Sequence, residues 1–226
     1  MKNKVTALLL ALLLAMTALC ACKSGTQDGG KESDESSKTS ESNNESKGET
    51  TVDNLSYKET DKETDYVKIE MEDGKVIIIK LEPTAAPITV ANFKKLVSEK
   101  FYDGIIFHRC IEGLIIQGGD PQGTGYGGSP DKIKGEFSLN GVDNPLSHVR
   151  GTISMARTSD PNSASSQFFI CCSSYPSWDG SYAAFGSVIY GMDAVDAIAS
   201  TPVNGSDKPL TEQKMKTVRF VEVTEK

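Results

Sequence analysis

Apolar positions along the later two thirds of the chain recur in two rhythms. Val67, Ile69 and Met71 alternate with Tyr66, Lys68 and Glu70; Asp73-Gly74 follows, and then an apolar run from Val76 to Leu81. This is the pattern of a β-hairpin, because successive strand side chains point to opposite faces and an Asp-Gly pair tolerates the positive φ of a tight turn. Pro83 and Pro87 close the second strand. Val90, Phe93, Leu96 and Val97 then recur at helical spacing behind Thr89, a residue suited to cap a helix. Further strands are predicted over Ile105–Arg109, Leu114–Gln117, Thr152–Ala156, Phe168–Cys172, Phe185–Tyr190 and Val218–Val223, separated by clusters of Gly, Pro, Asn and Asp. Met192, Val195 and Ile198 mark a second short helix, which Thr201-Pro202 stops. Many short strands with two short helices predict an all-β barrel or sandwich.

The amino-terminal part follows other patterns. Lys2 and Lys4 precede an unbroken apolar run from Val5 to Leu19 and then Cys20-Ala21-Cys22, the layout of an export signal. As a helix that run would be about 22 Å long, short of the roughly 30 Å of a hydrocarbon core, so a signal peptide over residues 1–21 is preferred to a permanent membrane span. Leu19-Cys20-Ala21-Cys22 resembles the lipobox of bacterial lipoproteins, and Cys22, preceded by the small Ala21, is the expected lipidation site. From Lys23 to Thr64 Ser, Glu, Lys, Thr, Asp, Asn and Gly dominate. Such a stretch buries too little apolar surface to offset the entropy of ordering. Residues 22–64 are therefore expected to be the lipidated Cys and a disordered acidic tether, with one domain over residues 65–226.

Across 226 residues there are 24 Lys+Arg against 31 Asp+Glu, a net charge of -7, which argues against a nucleic-acid binder led by a basic face. No G-x-S-x-G is present, and His108 and His148 lie too far apart in sequence to make a local metal pair. Neither a metal nor a cofactor is expected. Gly123 to Gly128 fits G-x-G-x-x-G, but Ser129-Pro130-Asp131 follows in place of a helix, so a Gly-rich turn is the better reading. Cys110, Cys171 and Cys172 are expected to be small hydrophobes, with the adjacent pair on opposite faces and at most one of them in the core.

Three short stretches carry candidate chemistry: Phe107-His108-Arg109, Gln117-Gly118-Gly119-Asp120 and Ser166-Gln167-Phe168-Phe169-Ile170. Strand parity places Arg109 on the face of Ile105 and Phe107, and Gln167 with Phe169. A cation, an amide and an aromatic would then line one groove without a nucleophile or a general base, which points to binding or conformational catalysis.

With Gly113, Gly151, Ser154-Met155-Ala156, Asp179-Gly180 and Phe185-Gly186 in the same order, the sequence from about Tyr66 to Val223 resembles the cyclophilin family of peptidyl-prolyl cis-trans isomerases. The resemblance implies a closed antiparallel eight-stranded β-barrel with a helix at each end. It implies that Arg109 is the catalytic residue, and that Phe107, Leu114, Ile115, Gln117, Ala156, Arg157, Gln167, Phe169, Trp178 and Tyr182 bind substrate. Leu114 and Ile115 stand where the family often has Phe and Met in the proline pocket, and Arg157 replaces a frequent Asn, adding a charge at the rim. The implied partners are proline-containing segments of exported proteins, turned over by a monomer held outside the cytoplasm on the membrane through its lipid anchor. The other readings are a tethered proline-peptide binding module or chaperone with little turnover, and a surface adhesion protein using the barrel as a scaffold.

Overall fold

A computed structural model describes residues 50–52 and 55–225. The signal segment, Cys22 and the tether as far as residue 49 lie outside the described residues. Ten strands and two α-helices occur among those described: β1 Thr50–Val52, β2 Leu55–Glu59, β3 Tyr66–Met71, β4 Val76–Leu81, α1 Pro87–Ser98, β5 Arg109–Ile111, β6 Ile115–Gly118, β7 Thr152–Met155, β8 Phe168–Cys171, β9 Ala184–Tyr190, α2 Met192–Ala199 and β10 Met215–Glu225.

All neighbouring strands are antiparallel, in the order β1-β2-β10-β3-β4-β9-β7-β8-β6-β5. The expected all-β fold with two short helices is present, but the strands number more than eight and no ladder closes them into a barrel among the described residues. The β5 end of the run approaches β10 through loop-type bonds instead of a ladder: Phe107 N–H donates to Gln213 O at 2.8 Å, Met215 N–H to Ile105 O at 2.9 Å, and Ile106 bridges Lys214. Two strands were not foreseen. β2 pairs with the Val221–Glu225 half of β10, and β1 pairs with β2, so part of the stretch expected to be a tether is strand. Tyr57 of β2 is buried with Ile78 and Val221, which supplies the apolar area that the surrounding composition lacks.

The main core joins both helices to the sheet. Val90, Phe93, Leu96 and Val97 of α1 and Ala194, Val195, Ile198 and Ala199 of α2 bury against strand residues such as Ile69, Ile79, Ile116 and Ile153. Helix α1 begins at Pro87, not behind Thr89 as the spacing suggested. A missing N–H costs nothing in a first turn, so Pro87 opens the helix. The N–H groups of Ile88 and Thr89, which have no partner within the helix, instead donate to the buried Glu136 carboxylate at 3.0 and 2.7 Å, and the Thr89 hydroxyl adds a bond of 2.7 Å.

Candidate functional site

Register across four strands builds the site. Arg109 on β5 lies opposite Gln117 on β6, which lies opposite Phe169 on β8, which lies opposite Ser154 on β7. Residues directly across an antiparallel ladder share a face, so cation, amide and ring form one row. Two positions before Gln117, Ile115 points the same way and packs with Phe169 and Cys171 in a small second cluster. The groove above has a volume of about 650 Å³.

Of the expected substrate residues, Arg109, Ile115, Gln117, Ala156, Arg157, Phe169, Trp178 and Tyr182 line this groove. Three do not. Phe107 is fully buried in the main core, edge-on to Phe168 at 6.0 Å, because regular strand begins only at Arg109 and the alternation breaks at His108. Leu114 sits in the turn between β5 and β6, packed beside the second cluster, and Ile115 takes the place at the groove. Gln167 stands behind Gln117: it accepts a bond from Gln117 Nε2 at 2.9 Å and donates to Gly125 O and Gly127 O at 3.0 and 2.7 Å. These bonds tie the row to the glycine loop.

That loop, the G-x-G-x-x-G stretch, is a wall. The Asp120 carboxylate accepts N–H bonds from Gln122, Thr124 and Gly125 at 2.8, 2.9 and 2.7 Å. Burial alone would raise the Asp120 pKa, but these backbone donors outweigh it and hold the group below the ordinary carboxylate range. Gly119 allows a close approach to the neighbouring backbone, since at φ +86° a Cβ there would fall 2.3 Å from Ser166 O.

The opposite wall is aromatic. Trp178 stands edge-on to Phe169 at 5.5 Å and stacks on Tyr175 at 4.6 Å; Tyr182 meets Phe169 at 5.7 Å. Trp178 thus packs and lines the groove at once. Beneath Phe169 the His148 ring lies parallel at 6.1 Å, with Nδ1 2.9 Å from Asp179 Oδ1 and Nε2 3.0 Å from Ser154 Oγ. Burial pulls its pKa below the usual histidine value despite Asp179. A neutral ring that donates from Nδ1 to Asp179 and accepts the Ser154 hydroxyl at Nε2 satisfies all three groups.

Cys171 and Cys172 do face opposite ways, one into the cluster under the groove and one into the main core, yet both are buried because the aromatic wall covers the groove side. Burial pushes the Cys171 thiol up to about 12 and the Cys172 thiol up to about 11, leaving neither as a nucleophile.

Sequence reasoning missed the loop that brings Asn204, Ser206 and Lys208 to the groove. Asp207 on that loop holds Arg109, accepting Nε–H at 3.2 Å, with the side chains 44% and 41% exposed. Neither terminal amino group of Arg109 has a hydrogen bond among the described residues, so both remain free for a ligand. His108 also lines the groove; burial lowers its pKa, and its buried Nδ1 has no hydrogen-bond partner among the described residues. No carboxylate lines the groove, and among the described residues no group of three His, Cys, Asp or Glu is placed to hold a metal. The arrangement offers fixed N–H donors beside an apolar seat.

Comparison with known proteins agrees with this fold. Residues 66–220 match the family model for cyclophilin type peptidyl-prolyl cis-trans isomerases. The chain is 46% identical over 123 residues to the peptidyl-prolyl cis-trans isomerase B of Bacillus subtilis, covering 54% of this chain and 82% of that one. It is 42% identical over 133 residues to the isomerase CYP18-1 of Arabidopsis thaliana, covering 58% of this chain and 81% of that one. Among solved structures, a cyclophilin type isomerase of Cryptosporidium parvum, crystallised in the presence of the dipeptide Ala-Pro, superposes with a TM-score of 0.63 at 35% identity, covering 69% of this chain and 98% of that one.

Proposed function

The chain belongs to the cyclophilin-type peptidyl-prolyl cis-trans isomerases, and from that premise we propose that Arg109 drives the reaction by stabilising the twisted amide of an Xaa-Pro bond without a covalent step. The observation that carries this reading is the row of Arg109, Gln117 and Phe169 across adjacent strands. Amide resonance sets a barrier of roughly 18–20 kcal/mol to rotation. In the twisted state the proline nitrogen becomes pyramidal and regains a lone pair, which an Arg109 terminal N–H can meet. Planar substrate presents no such acceptor, so the bond favours the transition state selectively. Phe169 and Ile115 seat the proline ring and exclude water, which strengthens the arginine contact. Gln117, steadied by Gln167, holds the carbonyl side.

A charge-assisted hydrogen bond is worth about 1.5–3 kcal/mol, or roughly ten- to a hundred-fold in rate. Arg109→Ala in the full chain is therefore expected to lower kcat/KM for an Xaa-Pro peptide at least about ten-fold with the circular dichroism spectrum unchanged. Undiminished acceleration by the folded variant would remove Arg109 from the mechanism.

Substrates on this reading are proline-containing segments of exported polypeptides, and the enzyme works as a monomer on the extracytoplasmic side of a cell membrane. Support comes from the apolar run Val5 to Leu19 and the Leu19-Cys20-Ala21-Cys22 stretch. Two acyl chains are enough for stable anchoring where a single chain is marginal. Expression in a bacterium with labelled fatty acid should mark the wild type and not Cys22→Ser; equal labelling of both would move the anchor elsewhere.

A further inference from the structure

Among the described residues two non-glycines hold a positive φ, Lys100 at 56° and Asp207 at 61°. Lys100 follows the last turn of α1, where its N–H donates to Val97 O and the Phe101 N–H to Leu96 O, so a left-handed residue closes the helix. Asp207 has a different setting. Val203 bridges Pro209, and inside that small hairpin Asn204 N–H donates to Lys208 O at 2.9 Å and Asp207 N–H to Asn204 O at 3.1 Å. Asn204 Oδ1 also accepts the N–H groups of Ser206 and Lys208 at 2.9 and 3.1 Å. A turn of this kind demands a left-handed residue before its second arm, a place that glycine fills without steric penalty. Here it carries a carboxylate.

Two contacts tie that residue to β5. The Asp207 carbonyl accepts the Cys110 N–H at 2.8 Å, and its Oδ2 accepts Arg109 Nε–H at 3.2 Å. One residue on, Lys208 Nζ donates to Gly123 O at 3.0 Å, in the glycine wall of the groove. The turn is thus pinned both to the strand that carries Arg109 and to that wall. Asn204, Ser206 and Lys208 line the groove, whereas Asp207 does not. Its carboxylate holds the guanidinium by Nε from outside the groove and leaves the two terminal amino groups for a ligand. An ion pair between half-exposed side chains adds little to stability. Its larger effect is on freedom, because Arg109 is a long side chain on a three-residue strand at the end of the strand order, and one bond to a fixed turn confines its rotamers.

We propose that Asp207 is a positioning residue for Arg109, aiming its terminal N–H groups at the bound peptide from a turn held in the left-handed region. The inference rests on the arginine reading of the isomerase. Its test compares the full chain with Asp207→Gly and Asp207→Asn, each alone and combined with Arg109→Ala. Cis-to-trans rates of an Ala-Pro peptide give kcat, and titration of the fluorescence of Trp178, the chain's one tryptophan and part of the groove lining, gives Kd. Glycine suits a positive φ but brings no acceptor. Asp207→Gly should therefore keep the wild-type Tm and Kd and lower kcat about three- to ten-fold, within the rotamer freedom of one arginine. Asparagine also tolerates the left-handed region and keeps a carbonyl oxygen for Nε–H, so Asp207→Asn should retain at least about half of the wild-type kcat. A merely structural role predicts the opposite order, since glycine eases the turn and would be at least as active as asparagine. In the Arg109→Ala background Asp207→Gly should change nothing further, because the group it aims is gone. Undiminished kcat in Asp207→Gly, or an equal loss with and without Arg109, overturns the proposal. Full turnover in Arg109→Ala would sink the arginine mechanism and this role with it; a loss in Arg109→Ala with none in Asp207→Gly would leave the mechanism standing and remove Asp207 from it.

Discussion

Two imidazoles, His108 and His148, sit where a positive charge is poorly solvated, and burial holds the pKa of both below the ordinary value of 6.5. A depressed folded pKa means that the unfolded chain binds protons first as pH falls. The stability these rings contribute is complete above about 6.5 and is lost as pH falls from there through their folded values. Asp120 and Asp179, both held below the carboxylate value of 3.8, add a second loss only below that pH. The urea midpoint is thus expected to be level near neutrality and to decline between pH 6.5 and 5. A midpoint unchanged over that interval would mean the rings titrate normally in the fold. At this scale Gln117 and Phe169 were legible because each belongs to a strand with regular parity, whereas parity set Arg109 on the face of Ile105 and Phe107, both of which are buried in the main core. Phe107 was misplaced because parity cannot be carried across the break at His108, and Asp207 was invisible because it lies 98 residues from the Arg109 it holds.

Among the elements, the hairpin of β3 and β4 and the helix α2 fall close to where the apolar rhythm puts them, since both are local patterns closed by local turns. The start of α1 was not legible, because its cap is Glu136, 47 residues beyond Thr89. A buried carboxylate bonded to two backbone N–H groups and a hydroxyl at a helix N-terminus offsets both the unpaired donors and the dipole. Replacing it by an amide of the same shape keeps the packing but removes the charge and one acceptor. Glu136→Gln is therefore expected to cost about 1–2 kcal/mol and to lower Tm by roughly 2–8 °C in a chain of this size. An unchanged Tm in a calorimetric scan would show that Thr89 and Ile88 find other partners.

On the scale of the whole molecule, family resemblance pointed to a barrel that starts near Tyr66, while the strand order starts earlier, at β1 and β2. Composition hid these strands. Between Lys23 and Thr64 polar residues prevail, and only Val52, Leu55 and Tyr57 supply large apolar side chains. What orders β2 is its partner: the Val221–Glu225 half of β10 reaches past β3 and offers an unpaired edge. The contact also engages charge, because the nearly buried Lys68 of β3 pairs with Glu59 of β2 as well as with Glu70 at 2.8 Å. Beginning the chain at Asp65 would uncover Ile78 and Val221 and leave Lys68 with one carboxylate fewer. Exposing that much apolar surface costs about 2–4 kcal/mol, or a Tm lower by roughly 4–12 °C than that of a chain beginning upstream of Thr50. The groove is built at the other end of the strand order, on β5, β6, β8 and β7, so kcat/KM at a temperature where both chains are folded should agree within about two-fold. Equal Tm values would make the hairpin a passive passenger on β10. A selective loss of turnover would instead mean that the β10 edge and the groove are coupled through the short link between Ile105–Phe107 and Gln213–Met215, where the β5 end of the run meets β10.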